Sequence, residues 1–251
     1  MLSAQRKTLL LERLQVDGRV VAKDLAVELD LSEDSIRRDL RELAAAGLCQ
    51  RVYGGALPAS RALADYTARQ KVEPDSKRRV AQRAAELVEP GMSVILDGGT
   101  TTLAVVNALP DTLACTVITH SPTIATALVN HPAIEVLIIG GKLYKHSAVT
   151  CGAAAVEAAQ AFSADLFFLG VTGVHPRAGL TTGDADEAAM KRALSARAAD
   201  TWALASVEKM GAASPYLVLR TDRVAGIITD SKRTSTTVTE LLSQGVTVHT
   251  T

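Results

Sequence analysis

Two stretches of this 251-residue chain combine residue types and spacings suited to binding anions. The first is Ser32-Glu33-Asp34-Ser35-Ile36-Arg37-Arg38-Asp39-Leu40-Arg41. If Ile36, Leu40 and Leu43 form the inward stripe of a helix, then Arg37, Arg38 and Arg41 point away from it. Guanidinium forks match phosphate oxygens and the O6/N7 edge of guanine, and the Ser35 hydroxyl can donate to either. Ser32 is placed to cap the helix. Arg51 and Tyr53 could follow an adjacent nucleic-acid backbone. An ordinary solvated helix would show the same arginines, and residues 1–60 hold nine basic and nine acidic side chains. Locally, however, residues 35–51 set four arginines against Asp39 and Glu42.

The second stretch is Asp97-Gly98-Gly99-Thr100-Thr101-Thr102, between the apolar run Ser93–Leu96 and a helical pattern. Small residues let backbone N–H groups converge on an anion, three hydroxyls add donors, and a helix N-terminus adds partial positive charge. Gly and Thr also suit any strand-to-helix turn. The GK[ST] ending of a nucleoside-triphosphate loop is missing. Further polar or glycine positions follow other short apolar runs: Thr119-His120, Gly140-Gly141-Lys142, Gly170, Ser206 and Asp230. Ligands of open α/β sheets bind at that edge. Glu187 and Lys191 stand four residues apart on one helical pattern, a spacing that serves a structural salt pair or a ligand contact equally well.

These groups need two kinds of scaffold. Leu10, Leu11 and Leu14, then Leu25, Ala26 and Leu29, then Ile36, Leu40 and Leu43 give three short helices, the third ended by Gly47. The extended run Cys49–Tyr53 and the turn Gly54-Gly55 complete a winged helix-turn-helix over residues 1–57. Residues 58–75, with Pro58 and Pro74 near the ends, read as a linker that is partly helical. Over residues 76–251 strand and helix patterns alternate. Strands are expected at Ser93–Leu96, Thr116–Ile118, Glu135–Ile139, Leu166–Leu169, Thr201–Ala205 and Ala225–Thr229, and Val246–Val248 could close the sheet. Such alternation implies an α/β domain with a mostly parallel sheet covered on both faces.

Composition excludes several classes. No apolar run approaches the ~20 residues that span a bilayer, and Met1–Lys7 is not followed by the apolar stretch of a secretion signal. The three cysteines, Cys49, Cys115 and Cys151, show no metal-ligand spacing. No metal or cofactor is expected, and a cytoplasmic location is. The formal net charge is zero, but residues 1–83 carry 16 basic and 12 acidic side chains while residues 84–251 carry 11 and 15. That asymmetry suits an anionic partner for the N-terminal part.

The run Leu31–Leu40 resembles the recognition-helix motif of the DeoR family of transcriptional regulators, with Ser35 where Thr is usual. Gly47-Leu48-Cys49-Gln50-Arg51-Val52-Tyr53-Gly54-Gly55-Ala56 is similar to that family's wing, with Tyr53 where His is usual. Asp97–Thr102, Gly140-Gly141, Gly152, Asp165–Gly170, Gly179–Thr182 and Glu187–Ala193 resemble its sensor domain, so nearly the whole chain is covered. The resemblance implies a repressor of sugar or polyol catabolism with a sensor similar to ribose-5-phosphate isomerase and CoA-transferase folds. It implies operator contacts from Ser32, Ser35, Arg37, Arg38, Arg41, Arg51 and Tyr53. It also implies a homo-oligomer that binds a phosphorylated sugar or polyol. Gly98, Gly99, Thr100, Thr101 and Thr102 would hold the phosphate, with Asp97, His120, Gly141, Lys142, Glu187, Lys191 and Lys209 around the rest of the ligand. Two departures stand out: Thr119-His120 replaces the usual Thr-Asn, and Ala205-Ser206-Val207-Glu208-Lys209 replaces Ala-Asp-Ser-Ser-Lys. A phosphosugar isomerase and a ligand-blind DNA binder are the alternatives.

Overall fold

The computed structural model describes residues 2–60, 62 and 66–251. The N-terminal unit runs α1 (Ser3–Asp17), β1 (Val20–Val21), α2 (Ala22–Glu28), α3 (Glu33–Ala45), β2 (Cys49–Val52) and β3 (Gly55–Pro58). Leu10, Leu14, Leu25, Ile36, Leu40 and Leu43 fill its core together with Cys49. The antiparallel ribbon is ordered β1-β3-β2. A Cβ on Gly55 would fall 1.8 Å from the Val20 carbonyl oxygen, so the close approach of β1 to β3 requires glycine there. This is the winged helix-turn-helix expected from the leucine spacing.

The chain continues through α4 (Tyr66–Gln70), α5 (Pro74–Ala85), β4 (Ser93–Leu96), α6 (Thr100–Val106), β5 (Cys115–Thr119), α7 (Pro122–Leu128) and β6 (Ile134–Ile138). A hairpin of β7 (Lys142–Tyr144) and β8 (Val149–Cys151) precedes α8 (Ala153–Ala159) and β9 (Ala164–Gly170). Next come β10 (Gly173–His175), β11 (Gly179–Thr182), α9 (Ala185–Ser195), β12 (Ala198–Ala205), β13 (Tyr216–Leu219), β14 (Gly226–Thr229), α10 (Thr236–Ser243) and β15 (Val248–Thr250).

Seven of these strands form one sheet ordered β15-β14-β12-β9-β4-β5-β6, and every neighbouring pair is parallel. Alternate residues feed opposite faces. Ile95, Phe167, Ala203 and Ile227 enter one core, which contains Cys151. Val94, Leu96, Phe168, Leu204 and Ile228 enter the other, which contains Cys115. From β4 the chain winds outward through β5 and β6, then returns to lay β9 on the other side of β4 and winds away through β12, β14 and β15. The winding reverses between β4 and β9, which opens a crevice at their carboxyl ends.

The structure adds elements that the strand–helix alternation does not announce: the β7–β8 hairpin and a small antiparallel sheet ordered β10-β11-β13. The segment between the units is also more than a spacer. Helix α4 lies inside it and Pro74 already belongs to α5. Ala59 bridges Ala213, the Ala213 N–H donates to the Pro58 carbonyl at 3.4 Å, and the Ser60 hydroxyl donates to the Thr172 carbonyl. The chain is therefore tied to the α/β unit as soon as it leaves the wing.

Candidate functional site

Helix α3 begins at a capped end, where the Ser32 hydroxyl accepts from the Ser35 N–H at 3.3 Å and meets the Ser35 hydroxyl at 2.9 Å. Burial of Ile36, Leu40 and Leu43 fixes its rotation and leaves Arg37, Arg38 and Arg41 exposed. The two acids that offset these arginines in the sequence are taken up elsewhere. Asp39 is buried and pairs with Arg6 of α1, and Glu42 pairs with Lys7. Arg37 makes an exposed i,i+4 pair with Glu33 at 2.7 Å. Among the described residues no carboxylate pairs with Arg38, Arg41 or Arg51. Arg37, Arg51 and Tyr53 border a groove between α3 and the wing, and Tyr53 is fully exposed at the wing turn. Of the seven candidate DNA contacts the five largest face solvent, and three of them, Arg37, Arg51 and Tyr53, share this groove.

The second site lies in the β4–β9 crevice. Its walls are the Gly98–Thr102 loop, the Gly170–Thr172 stretch after β9, and Thr182, Glu187 and Lys191 from β11 and α9. The Glu208-Lys209 turn and Ala62, Arg69, Val72 and Lys77 from the connecting segment complete it. The empty space among these residues, part of it open to solvent, is about 450 Å³. Helix α6 is preceded by Gly99 at its N-cap, whose φ of 123° suits glycine. The first-turn N–H groups of α6 have no acceptor within the helix.

Behind this crevice is a buried ionic layer. Asp97 accepts from the N–H groups of Gly98 (2.7 Å) and Gly170 (2.8 Å), and its other partners are His120 Nε2 (2.8 Å) and Lys191 Nζ (2.5 Å). Burial pushes the Asp97 carboxyl up, but the Lys191 ammonium and the His120 ring outweigh it and hold the group down at about 2. Burial likewise pulls on Lys191, and the attraction of Asp97 and Glu187 overcomes it and raises the ammonium. Glu187 meets Lys191 at 3.4 Å and accepts from the Thr182 hydroxyl at 2.7 Å. The i,i+4 spacing therefore makes a salt pair whose two members both line the crevice. Lys209 is different. It donates to the Thr101 hydroxyl at 2.8 Å, makes no ion pair among the described residues, and is pulled down to about 8 by burial.

Several expected ligand contacts stand elsewhere. Asp97 and His120 are fully buried and do not border the crevice. His120 Nδ1 lies 2.8 Å from the Thr150 carbonyl, so both ring nitrogens are engaged inside the protein and none is left for a ligand. Gly141 and Lys142 are exposed at the β7–β8 hairpin, away from the crevice. A Cβ on Gly141 would come within 2.8 Å of the Ala155 methyl, so this glycine serves packing. Gly98 borders the crevice, but a Cβ there would meet Val149 at 2.0 Å and its N–H is already given to Asp97. Sequence reasoning missed Arg69, Lys77, Thr172 and Thr182 as wall residues. Glu208 was visible only as an acid displaced two positions from Ser206, and the structure places it on the wall.

A winged helix with a bare arginine face, joined to an α/β unit with a cation-rich crevice at its switch point, defines a DNA-binding protein with a separate ligand domain. Residues 6–62 match the family model of the DeoR-like helix-turn-helix domain, and residues 72–231 match that of the DeoR C-terminal sensor domain. The chain is 35% identical over 251 residues to the HTH-type transcriptional regulator GlpR of Haloferax volcanii, covering 99% of this chain and 98% of that protein. It is 30% identical to the HTH-type transcriptional repressor GlcR of Bacillus subtilis, covering 92% and 89%. It is also 30% identical to the glycerol-3-phosphate regulon repressor of Escherichia coli, covering 77% of each. The chain belongs to the DeoR family of transcriptional regulators. Among solved structures it is similar to ribose 5-phosphate isomerase A of Methanocaldococcus jannaschii, with a TM-score of 0.41, 18% identity and 54% of each chain covered. Among the described residues no helix is long and apolar enough to cross a membrane.

Proposed function

We propose that the protein is a repressor of sugar or polyol catabolism whose grip on its operator is set by a phosphorylated sugar or polyol. Ser35, Arg37, Arg38 and Arg41 read the major groove while Arg51 and Tyr53 follow the backbone. Two-fold assembly matches the two halves of a palindromic site, so the working form is at least a dimer in the cytoplasm. The effector phosphate sits against Gly99–Thr102, between the α6 N-terminus and Lys209, with Lys191 and Glu187 deeper in the crevice.

The observation that carries the effector reading is Lys209, a buried ammonium beside the Thr101 hydroxyl that forms no ion pair among the described residues. Buried charges are normally paired, and an anion in the crevice supplies what this one lacks. The name of the Escherichia coli relative, a glycerol-3-phosphate regulon repressor, supports a phosphate ester. A thermal-shift screen against phosphorylated sugars and polyols and their unphosphorylated counterparts tests it, because binding to the native state raises the melting temperature. A phosphate-dependent hit that also changes operator affinity is expected. Thr101→Val should abolish that response and leave operator binding intact. Silence across the panel would reject the effector assignment.

A further inference from the structure

Among the described residues three buried side-chain polar atoms lack a hydrogen-bond partner: the Tyr66 hydroxyl and two that belong to residues lining the crevice, and those two are of opposite kind. Arg69 Nε is one. The Arg69 side chain is 8% exposed and borders the crevice, and Nη2 donates to the His146 carbonyl at 3.3 Å. Its backbone is fixed from below, because Lys77 Nζ donates to the carbonyls of Arg69 and Val72. The other atom is Glu208 Oε2. Glu208 Oε1 accepts from the Ser206 hydroxyl at 2.7 Å, which leaves the second oxygen free on the crevice wall. The turn that carries Glu208 is pinned in turn: the Val207 N–H reaches Asp230 Oδ1 at 3.0 Å and the Ser76 hydroxyl at 3.1 Å. Neither Arg69 nor Glu208 forms an ion pair among the described residues.

Buried polar atoms in native proteins are nearly always satisfied. Here one donor and one acceptor flank the same crevice without meeting. A bare anion satisfies the guanidinium and is repelled by the carboxylate. A neutral polyol satisfies the carboxylate and leaves the guanidinium unpaired. A ligand bearing both an anionic group and a hydroxyl satisfies both. We infer that Glu208 reads a hydroxyl of the effector and that Arg69, carried by the connecting segment, is an anion ligand in addition to Lys209, so the crevice selects a hydroxylated phosphate monoester over inorganic phosphate. This rests on the effector reading above and adds two residues to it.

The test titrates the full-length protein by calorimetry with inorganic phosphate, propyl phosphate, glycerol 3-phosphate, fructose 1-phosphate and glucose 6-phosphate. The wild type should bind at least one hydroxylated ester ten or more times tighter than inorganic or propyl phosphate. In Glu208→Gln that preference should shrink about tenfold while inorganic phosphate binds more tightly, because a repelling charge is gone. Arg69→Met should weaken every phosphate compound about tenfold and raise the melting temperature of the ligand-free protein, because an unpaired buried cation is removed. Arg69→Lys should restore part of the affinity. An unchanged ester preference in Glu208→Gln overturns the hydroxyl assignment. A lowered melting temperature with unchanged affinities in Arg69→Met makes Arg69 structural and overturns its role. If the wild type binds some phosphate compounds and only the variants disagree, this inference alone falls. If it binds none, the effector reading falls and takes this inference with it.

Discussion

The charge of Lys209 is weakly held, because burial disfavours its ammonium, the neighbouring Glu208 carboxylate offsets that only in part, and among the described residues no carboxylate forms an ion pair with it. Its native value of about 8 lies below its ordinary value of 10.5. The fold therefore disfavours the protonated form, and this penalty on stability is relieved as pH rises from about 8 towards 10.5, where the unfolded chain still holds the proton. An anionic ligand reverses the preference and draws the proton back. Effector affinity should consequently fall as pH rises through about 8, measured by calorimetry on either side of that value. Lys209→Met should bind more weakly and lose the pH dependence. Asp97, held at about 2, does not titrate in this window and should not contribute.

At the level of elements, α3 works because α1 absorbs its acids. The exposed Arg37–Glu33 pair is worth only about 0.3–0.5 kcal/mol, so a phosphate or guanine edge can take Arg37 from it. Arg37→Ala should weaken operator binding by about 1–3 kcal/mol and relax base preference at one position, as read by mobility shift over operator variants. An even loss across sequences, with the salt slope reduced by about one, would place Arg37 on phosphate instead. The spacing of Ile36, Leu40 and Leu43 made this helix legible, and apolar runs such as Val94–Leu96 made the parallel strands legible. The strands β7, β10 and β11, of three or four residues each, are too short for alternation to register. The Asp97–Thr102 loop was readable from its composition and its place after a strand. Arg69 and Lys77 were not, because they reach the crevice through the fold of a segment that follows no strand of the parallel sheet. The orientation of His120 is not legible for a related reason: a polar residue at a strand end can face the ligand or the interior, and only its contacts to the Thr150 carbonyl and Asp97 show that it faces inward.

Across the whole molecule, the route from wing to crevice is short. The Ser60 hydroxyl donates to the Thr172 carbonyl and accepts from the Ala62 N–H at 3.0 Å, and both Ala62 and Thr172 border the crevice. If the effector weakens operator binding by some factor, the operator must weaken effector binding by the same factor. Ser60→Ala should reduce that mutual factor and change each separate affinity little, which titrating the effector with and without operator DNA would reveal. The three cores offer a way to watch these units separately. Each holds one of the chain's three cysteines, all buried: Cys49 in the winged helix, and Cys115 and Cys151 on opposite faces of the parallel sheet. Burial pushes the Cys151 thiol up to about 12, so alkylation of the closed state is slow and must await local opening. The protein thus carries one chemical clock in each core. The order in which a small alkylating reagent stops the three clocks ranks the opening free energies of the cores without any engineered label.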